Sequence, residues 1–254
     1  MTVAAPPITG LEDLLLSMAD DEFVIGFSDS EWTGIAPLLE EDVAMSSLSQ
    51  DELGHAAAFY GLLGELRGVD PDAIAYDRAP AEYRHARLLD HGRGDWAMTI
   101  ARRYLYETSD AVRLAALAGG SWRPLADLVG KLQREERYHA MHIGSWFERL
   151  AGADGEPRDR LLAALDALGR DAGTVFTPLP GEQALIEAGV LARPSPDLER
   201  EWRAAIGPVF ERHRLPVLPP TADPAGGRAG HGADFAWLHG EFTSVRGSDP
   251  GATW

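Results

Sequence analysis

The chain contains no cysteine. Disulfides, thiolate zinc sites, iron–sulfur clusters and cysteine nucleophiles are thereby excluded. No apolar run comes near the ~18 residues that a membrane span needs. Met1–Gly10 lacks the basic-then-apolar order of a signal peptide, so the expected location is cytoplasmic. Positive charge is scarce: 23 Lys and Arg stand against 40 Asp and Glu, for a net −17. A field of that sign repels phosphate backbones and anionic membranes, so neither nucleic acid nor a membrane is an expected partner. Strand signals are missing too, with no alternating Val, Ile and Thr between turns. What remains is a chain of 254 residues, 45% apolar and 25% charged, which is enough to bury a real core. The expectation is one all-α domain over residues 1–254, with a bundle at about 11–150 and a helical extension at about 155–254.

Apolar residues three and four apart predict four long helices in the first part. They run over about Leu11–Ser28, Pro37–Arg67, Asp95–Ala118 and Ser121–Leu150. Pro37 suits the first turn of the second, and Asp95 and Ser121 suit the N-caps of the third and fourth. Gly68–Gly94 reads as a connection. Downstream, helices are expected at Pro157–Asp171, Ser195–Arg214 and Ala233–Val245, the last docking back through Phe235, Trp237, Leu238 and Phe242. Leu215–Gly232 is rich in proline and glycine and is expected to be irregular or mobile.

Two of the long helices carry a Glu-x-x-His pair: Glu52 with His55, and Glu136 with His139. Residues three apart share a helix face, so each pair converges on one point. One helix upstream of each lies another glutamate: Glu22 before Glu52, and Glu107 before Glu136. The unit of glutamate helix and Glu-x-x-His helix thus occurs twice. That is the ligand set of a carboxylate-bridged two-metal site in a four-helix bundle. Spacing alone is weak evidence, since Glu82 and His85 repeat it in the proline-bearing connection, where a solvated loop or short cap is the plainer reading. Position on the helix is stronger evidence. Leu15, Met18 and Ile25 bracket Glu22; Ile100, Tyr104, Ala111 and Leu114 bracket Glu107. Glu52 and His55 fill missing steps in the stripe Leu48–Phe59–Leu62–Leu66, and Glu136 and His139 fill those between Leu132 and Ile143.

Four carboxylates in one core must be neutralised by protons, basic partners or metal. The stripes show no obvious lysine or arginine, and two divalent ions balance four carboxylates. Mixed oxygen and imidazole ligands suit iron first and manganese second. The bland alternative has some of these positions half-exposed and paired with Arg102, Arg103 or Arg137. Among neighbours, Asp110 is a candidate to support Glu107, His142 to line the pocket, and Asp51 to accept from a ligand imidazole on a neighbouring helix. Glu135 reads as a surface residue.

The run Glu31-Trp32-Thr33-Gly34-Ile35-Ala36-Pro37, followed by Gln50-Asp51-Glu52-Leu53-Gly54-His55, resembles the phenylacetic acid catabolic family of ferritin-like proteins. That family supplies two related subunits of an oxygenase that epoxidises the ring of phenylacetyl-CoA. The PaaA type holds the working di-iron site, and the PaaC type shares its fold and is treated as structural. Glu201-Trp202-Arg203, Gly226–Gly232 and the final Trp254 resemble the PaaC type. The resemblance implies a ferritin-like bundle, a PaaA-type catalytic partner, a small bridging subunit and a separate reductase, with a homodimer as a further option. PaaC-type subunits often have a degraded metal site, whereas this chain keeps Glu22, Glu52, His55, Glu107, Glu136 and His139. Two other readings stand beside a scaffold: a self-sufficient di-iron monooxygenase, and a ferritin-like metal store. For a CoA thioester, Arg84, Arg87, Arg102 and Arg103 are the candidate rim cations.

Overall fold

The computed structural model describes residues 8–223 and 226–249. Trp254 and the first seven residues, named above, lie outside them. The described residues hold helices and short 3-10 turns but no strand. The four long helices are α1 (Leu11–Ser30), α2 (Leu39–Arg67), α4 (Trp96–Leu117) and α5 (Arg123–Ala151). Helices α1 and α2 pack as one antiparallel pair and α4 and α5 as another, and α2 meets α5 across the bundle. This is the all-helical, ferritin-like architecture expected.

Two of the long-helix ends follow their local signals. Asp95 caps α4 by accepting from the Met98 N–H at 2.9 Å. Gly68 closes α2 with φ +65°, a left-handed conformation that glycine adopts without strain. Two caps differ. Helix α2 begins at Leu39, two residues after Pro37. Ser121 does not cap α5: its hydroxyl donates to the Ala188 carbonyl, and Trp122 stands at the cap. Two short helices lie outside the expectation, α3 (Pro71–Tyr76) and α7 (Glu182–Glu187). The first has a legible start: Asp70 accepts from the Asp72 N–H, with Pro71 in the first turn.

Close approach of α1 and α2 is set at Gly26, one turn beyond Glu22. A methyl group there would lie 3.1 Å from Glu52 Cβ and 3.2 Å from the Ser49 carbonyl. Two tryptophans then tie flanking segments to α4. Trp32 Nε1 donates to Thr99 at 3.0 Å, and Trp202 Nε1 donates to Thr108 at 2.9 Å. Trp202 lies on α8 (Ser195–Arg212), which with α6 (Glu156–Leu168) covers α4. The C-terminal extension therefore braces the helix that carries Glu107.

The described residues of Leu215–Gly232 hold only a short 3-10 turn, as an irregular segment should, and that turn is firmly anchored. Arg228, in the turn Gly227–Ala229, is buried. Its guanidinium meets both Asp21 oxygens at 3.0 and 3.1 Å, the Arg84 carbonyl at 2.8 Å and the Val175 carbonyl at 2.6 Å. Removing one partner of a buried ion pair typically costs several kcal/mol. Arg228→Met should therefore lower unfolding free energy by about 3 kcal/mol, read as a lower urea midpoint. An unchanged midpoint would show that the anchor is dispensable. Beyond it, α9 (Ala233–Ser248) docks through Phe235, Leu238 and Phe242; Trp237 stays 55% exposed and takes no part.

Candidate metal centre

All six expected side chains reach one buried place between α1, α2, α4 and α5. They fall into two overlapping groups whose ligating atoms lie within 4.8 Å of one another. One is Glu22, Glu52, His55 and Glu136; the other is Glu52, Glu107, Glu136 and His139. Glu52 and Glu136 belong to both. Glu52 Oε2 faces His55 Nδ1 at 3.8 Å, and Glu52 Oε1 faces His139 Nδ1 at 3.3 Å, so this carboxylate bridges the two groups. Glu136 Oε1 lies 3.0 Å from His55 Nδ1 and 3.4 Å from His139 Nδ1.

The outer faces of the imidazoles are held by carboxylates. His139 Nε2 meets Asp51 at 3.2 Å, as expected, and His55 Nε2 meets Glu135 at 3.0 Å. Glu135 is thus more than a surface residue, although its side chain is 46% exposed. The acid just before each Glu-x-x-His pair holds the histidine of the other pair. The signal lies in the sequence, because Asp51 and Glu135 occupy equivalent places. Such outer contacts fix the ring and turn the opposite nitrogen inward. Tyr106, which sequence reasoning misses, donates to Glu22 Oε1 at 2.9 Å and so leaves Oε2 facing the histidine.

Seven buried atoms of these six residues make no well-aligned hydrogen bond among the described residues, namely Glu22 Oε2, Glu52 Oε2, both oxygens of Glu107, Glu136 Oε1 and the two Nδ1 atoms, although ion-pair contacts at 3.0–3.4 Å reach Glu136 Oε1, Glu107 Oε1 and both Nδ1 atoms. Each unsatisfied buried group costs about 1–3 kcal/mol. Their convergence on one place fits a bound cation, and the oxygen and imidazole donor set fits iron or manganese. Their protonation reflects the same crowding. Burial, reinforced by Glu52, pushes Glu22 well above the usual carboxylate range. Burial also raises Glu107, against the pull of Arg103. Burial acts against charge on His139, yet Glu136 and Glu52 outweigh it and push the ring up to about 11.

The reading that these carboxylates lack a basic partner is overturned, and the alternative that pairs them with Arg103 holds in part, without the half-exposure it assumed. Arg103 is fully buried, with Nη2 2.7 Å from Glu52 Oε1 and 3.0 Å from Glu107 Oε1, and Nη1 3.4 Å from Asp29. Its place four residues before Glu107, on the same face of α4, is the readable sign. Arg102 is buried against Asp29 at 2.6 Å. Neither arginine is therefore available as a rim cation. Asp110 pairs with Arg113 at 2.6 Å and does not reach the six residues as a ligand. His142 turns away to Glu41 at 2.9 Å.

The third Glu-x-x-His pair also differs from expectation. Glu82 is exposed and accepts from the Ala79 N–H, but His85 is completely buried. Its Nε2 meets Asp90 at 2.6 Å, and His231 Nδ1 meets the same oxygen at 3.0 Å. The two rings stack 4.0 Å apart and within 10° of parallel, and together with Asp90 they bring their ligating atoms within 4.8 Å of one another. This cluster joins the 83–91 segment to the start of α9. Burial lowers the His85 pKa below 6.5, against the pull of Asp90. The unfolded chain then takes up a proton that the folded chain refuses, and stability falls as pH drops below about 6.5. Asp90 adds to this at lower pH. Burial opposes its charge, but His231 and His85 hold the carboxyl well below the usual range. Its contribution is present above about pH 3.9 and lost further down. His85→Gln keeps an N–H donor without titrating. Between about pH 7.5 and 5 it should lose less stability in urea than the unaltered protein. Parallel losses would contradict the assignment.

A family model described as "Phenylacetic acid catabolic protein" matches residues 5–254. The chain belongs to that family. It is similar to the C subunit of the 1,2-phenylacetyl-CoA epoxidase of Escherichia coli, at 28% identity over 241 residues, spanning 94% of this chain and 97% of that one. The resemblance read from the Glu31–Pro37 run and the first Glu-x-x-His pair thus extends over nearly the whole chain. No helix among the described residues is long and apolar enough to cross a membrane.

Proposed function

We propose that this chain is the PaaC-type subunit of a phenylacetyl-CoA ring epoxidase, working in the cytoplasm. In this reading it holds a PaaA-type catalytic partner and carries a two-metal centre of its own. The observation that carries the assignment is the end-to-end similarity to an epoxidase subunit of that type, with neither chain extending far beyond the other. Exposed apolar side chains fit the need for a partner: Leu38, Leu39 and Val43 at the start of α2, and Tyr138 and Met141 on α5. A small bridging subunit and a reductase complete the assembly, since a chain without cysteine holds no cluster to deliver electrons.

Glu22, Glu52, His55, Glu107, Glu136 and His139 would hold two ions, iron first and manganese second. When bound, such ions supply redox and Lewis-acid chemistry at carboxylate oxygens. The protein's own part is to aim both Nδ1 atoms inward, to exclude water by burial and to offer Glu52 and Glu136 to both positions. A second reading, a self-sufficient monooxygenase, is favoured by one observation: the ligand set is complete. Co-expression with a PaaA-type chain tests the first reading. One co-eluting complex at physiological salt and micromolar concentration is expected, and two separate peaks would count against it.

A further inference from the structure

We propose that Arg103 makes the two metal positions unequal, so that the position at His55 fills first and the position at His139 fills weakly. The inference rests on the proposed two-metal reading and deepens it. Glu52 divides its oxygens between the positions. Oε2 faces His55, and Oε1 faces His139. The guanidinium sits on the second side only. Its Nη2 lies 2.7 Å from Glu52 Oε1 and 3.0 Å from Glu107 Oε1, two of the donors that an ion beside His139 would need.

The donors of the first position have a different environment. Glu22 Oε1 takes a neutral hydroxyl, from Tyr106, and its Oε2 is free of any hydrogen bond. No arginine or lysine lies within ion-pair distance of Glu22 or Glu136 among the described residues. An ion entering beside His55 thus meets Glu22 and Glu136, which no fixed cation has claimed, and the Oε2 atom of Glu52, the oxygen that Arg103 does not engage. An ion entering beside His139 must share Glu52 Oε1 and Glu107 with a buried positive charge. Like charges a few ångströms apart in a buried site repel strongly, with little screening by salt.

Arg103 cannot relieve this by leaving for solvent, because it is fully buried and backed by Asp29, which Arg102 also engages. Nor is it a saturated structural clamp. Its Nε and Nη1 find no hydrogen-bond acceptor. It supplies charge at one end of a paired site that otherwise repeats itself. It also supplies a countercharge to two of the four buried carboxylates, Glu52 and Glu107, in the ion-free chain.

The test is binding of Mn2+ to the full chain by equilibrium dialysis, with electron paramagnetic resonance at increasing loading. The unaltered protein should take up two ions in separate steps, the second on the order of tenfold weaker or more. Its spectrum should be that of isolated Mn2+ up to one ion per chain. Arg103→Met should bring the two steps together and give the spin-coupled pair signal already below one ion per chain. Arg103→Gln, which keeps a donor for Glu52, should do the same and decides the matter if the Met variant does not fold. Two equal steps in the unaltered protein, or separate steps that persist in the neutral variant, would overturn the role of Arg103. Failure of every variant and of the unaltered protein to bind Mn2+ would instead overturn the metal reading beneath it.

Discussion

Chelated protein should melt roughly 10 °C below protein loaded with iron or manganese, and returning the metal should restore the difference. An ion that binds only the folded state stabilises it by mass action, by about 4 kcal/mol when free metal exceeds its dissociation constant a thousandfold. For a domain of this size each kcal/mol moves the melting temperature by roughly 2–4 °C. The metal-dependent gap is the quantity to measure, since removing a crowded carboxylate can itself stabilise the ion-free chain. In Glu52→Ala/Glu136→Ala, which removes both bridging groups, the gap should vanish while the helical signal remains. A gap that survives would place the stabilising ion elsewhere.

The second large effect concerns division of labour. If the chain has an accessory role, His139→Ala should lower metal content and melting temperature yet leave turnover of the reconstituted oxygenase within about twofold. The assay requires the PaaA-type partner and reductase, below the melting temperature of the variant. A loss on the order of a hundredfold or more, in a variant that still forms the complex, would mean that the chemistry runs in this chain. The measurement thus separates the accessory reading from the monooxygenase reading.

The bundle and all six convergent residues are legible in the sequence because helical periodicity and the Glu-x-x-His spacing report the same faces. A glutamate in place of a core leucine is visible in one dimension. Partners that come from other helices are less visible. Asp51 is predictable because a ligand imidazole needs an outer carboxylate, whereas the angle of Glu135 on α5 taken alone points to the surface. Its contact with His55 depends on how α5 is rotated against α2, which periodicity does not encode. Arg103 is legible in part: its place four residues before Glu107 puts it on the same face of α4, but its contact with Glu52 of α2 joins two helices and is not encoded in the spacing along either. His85 is hidden because its segment has prolines and no helix. Its burial comes from the C-terminal segment, which folds back to supply His231 and Phe235.

Anomalous scattering at the iron edge decides whether these six residues hold two ions. Crystals of the protein made with iron available should show two peaks, a strong one beside His55 Nδ1 and a weaker one beside His139 Nδ1. No peak between the six side chains, in a well-ordered crystal of iron-supplied protein, would contradict the account.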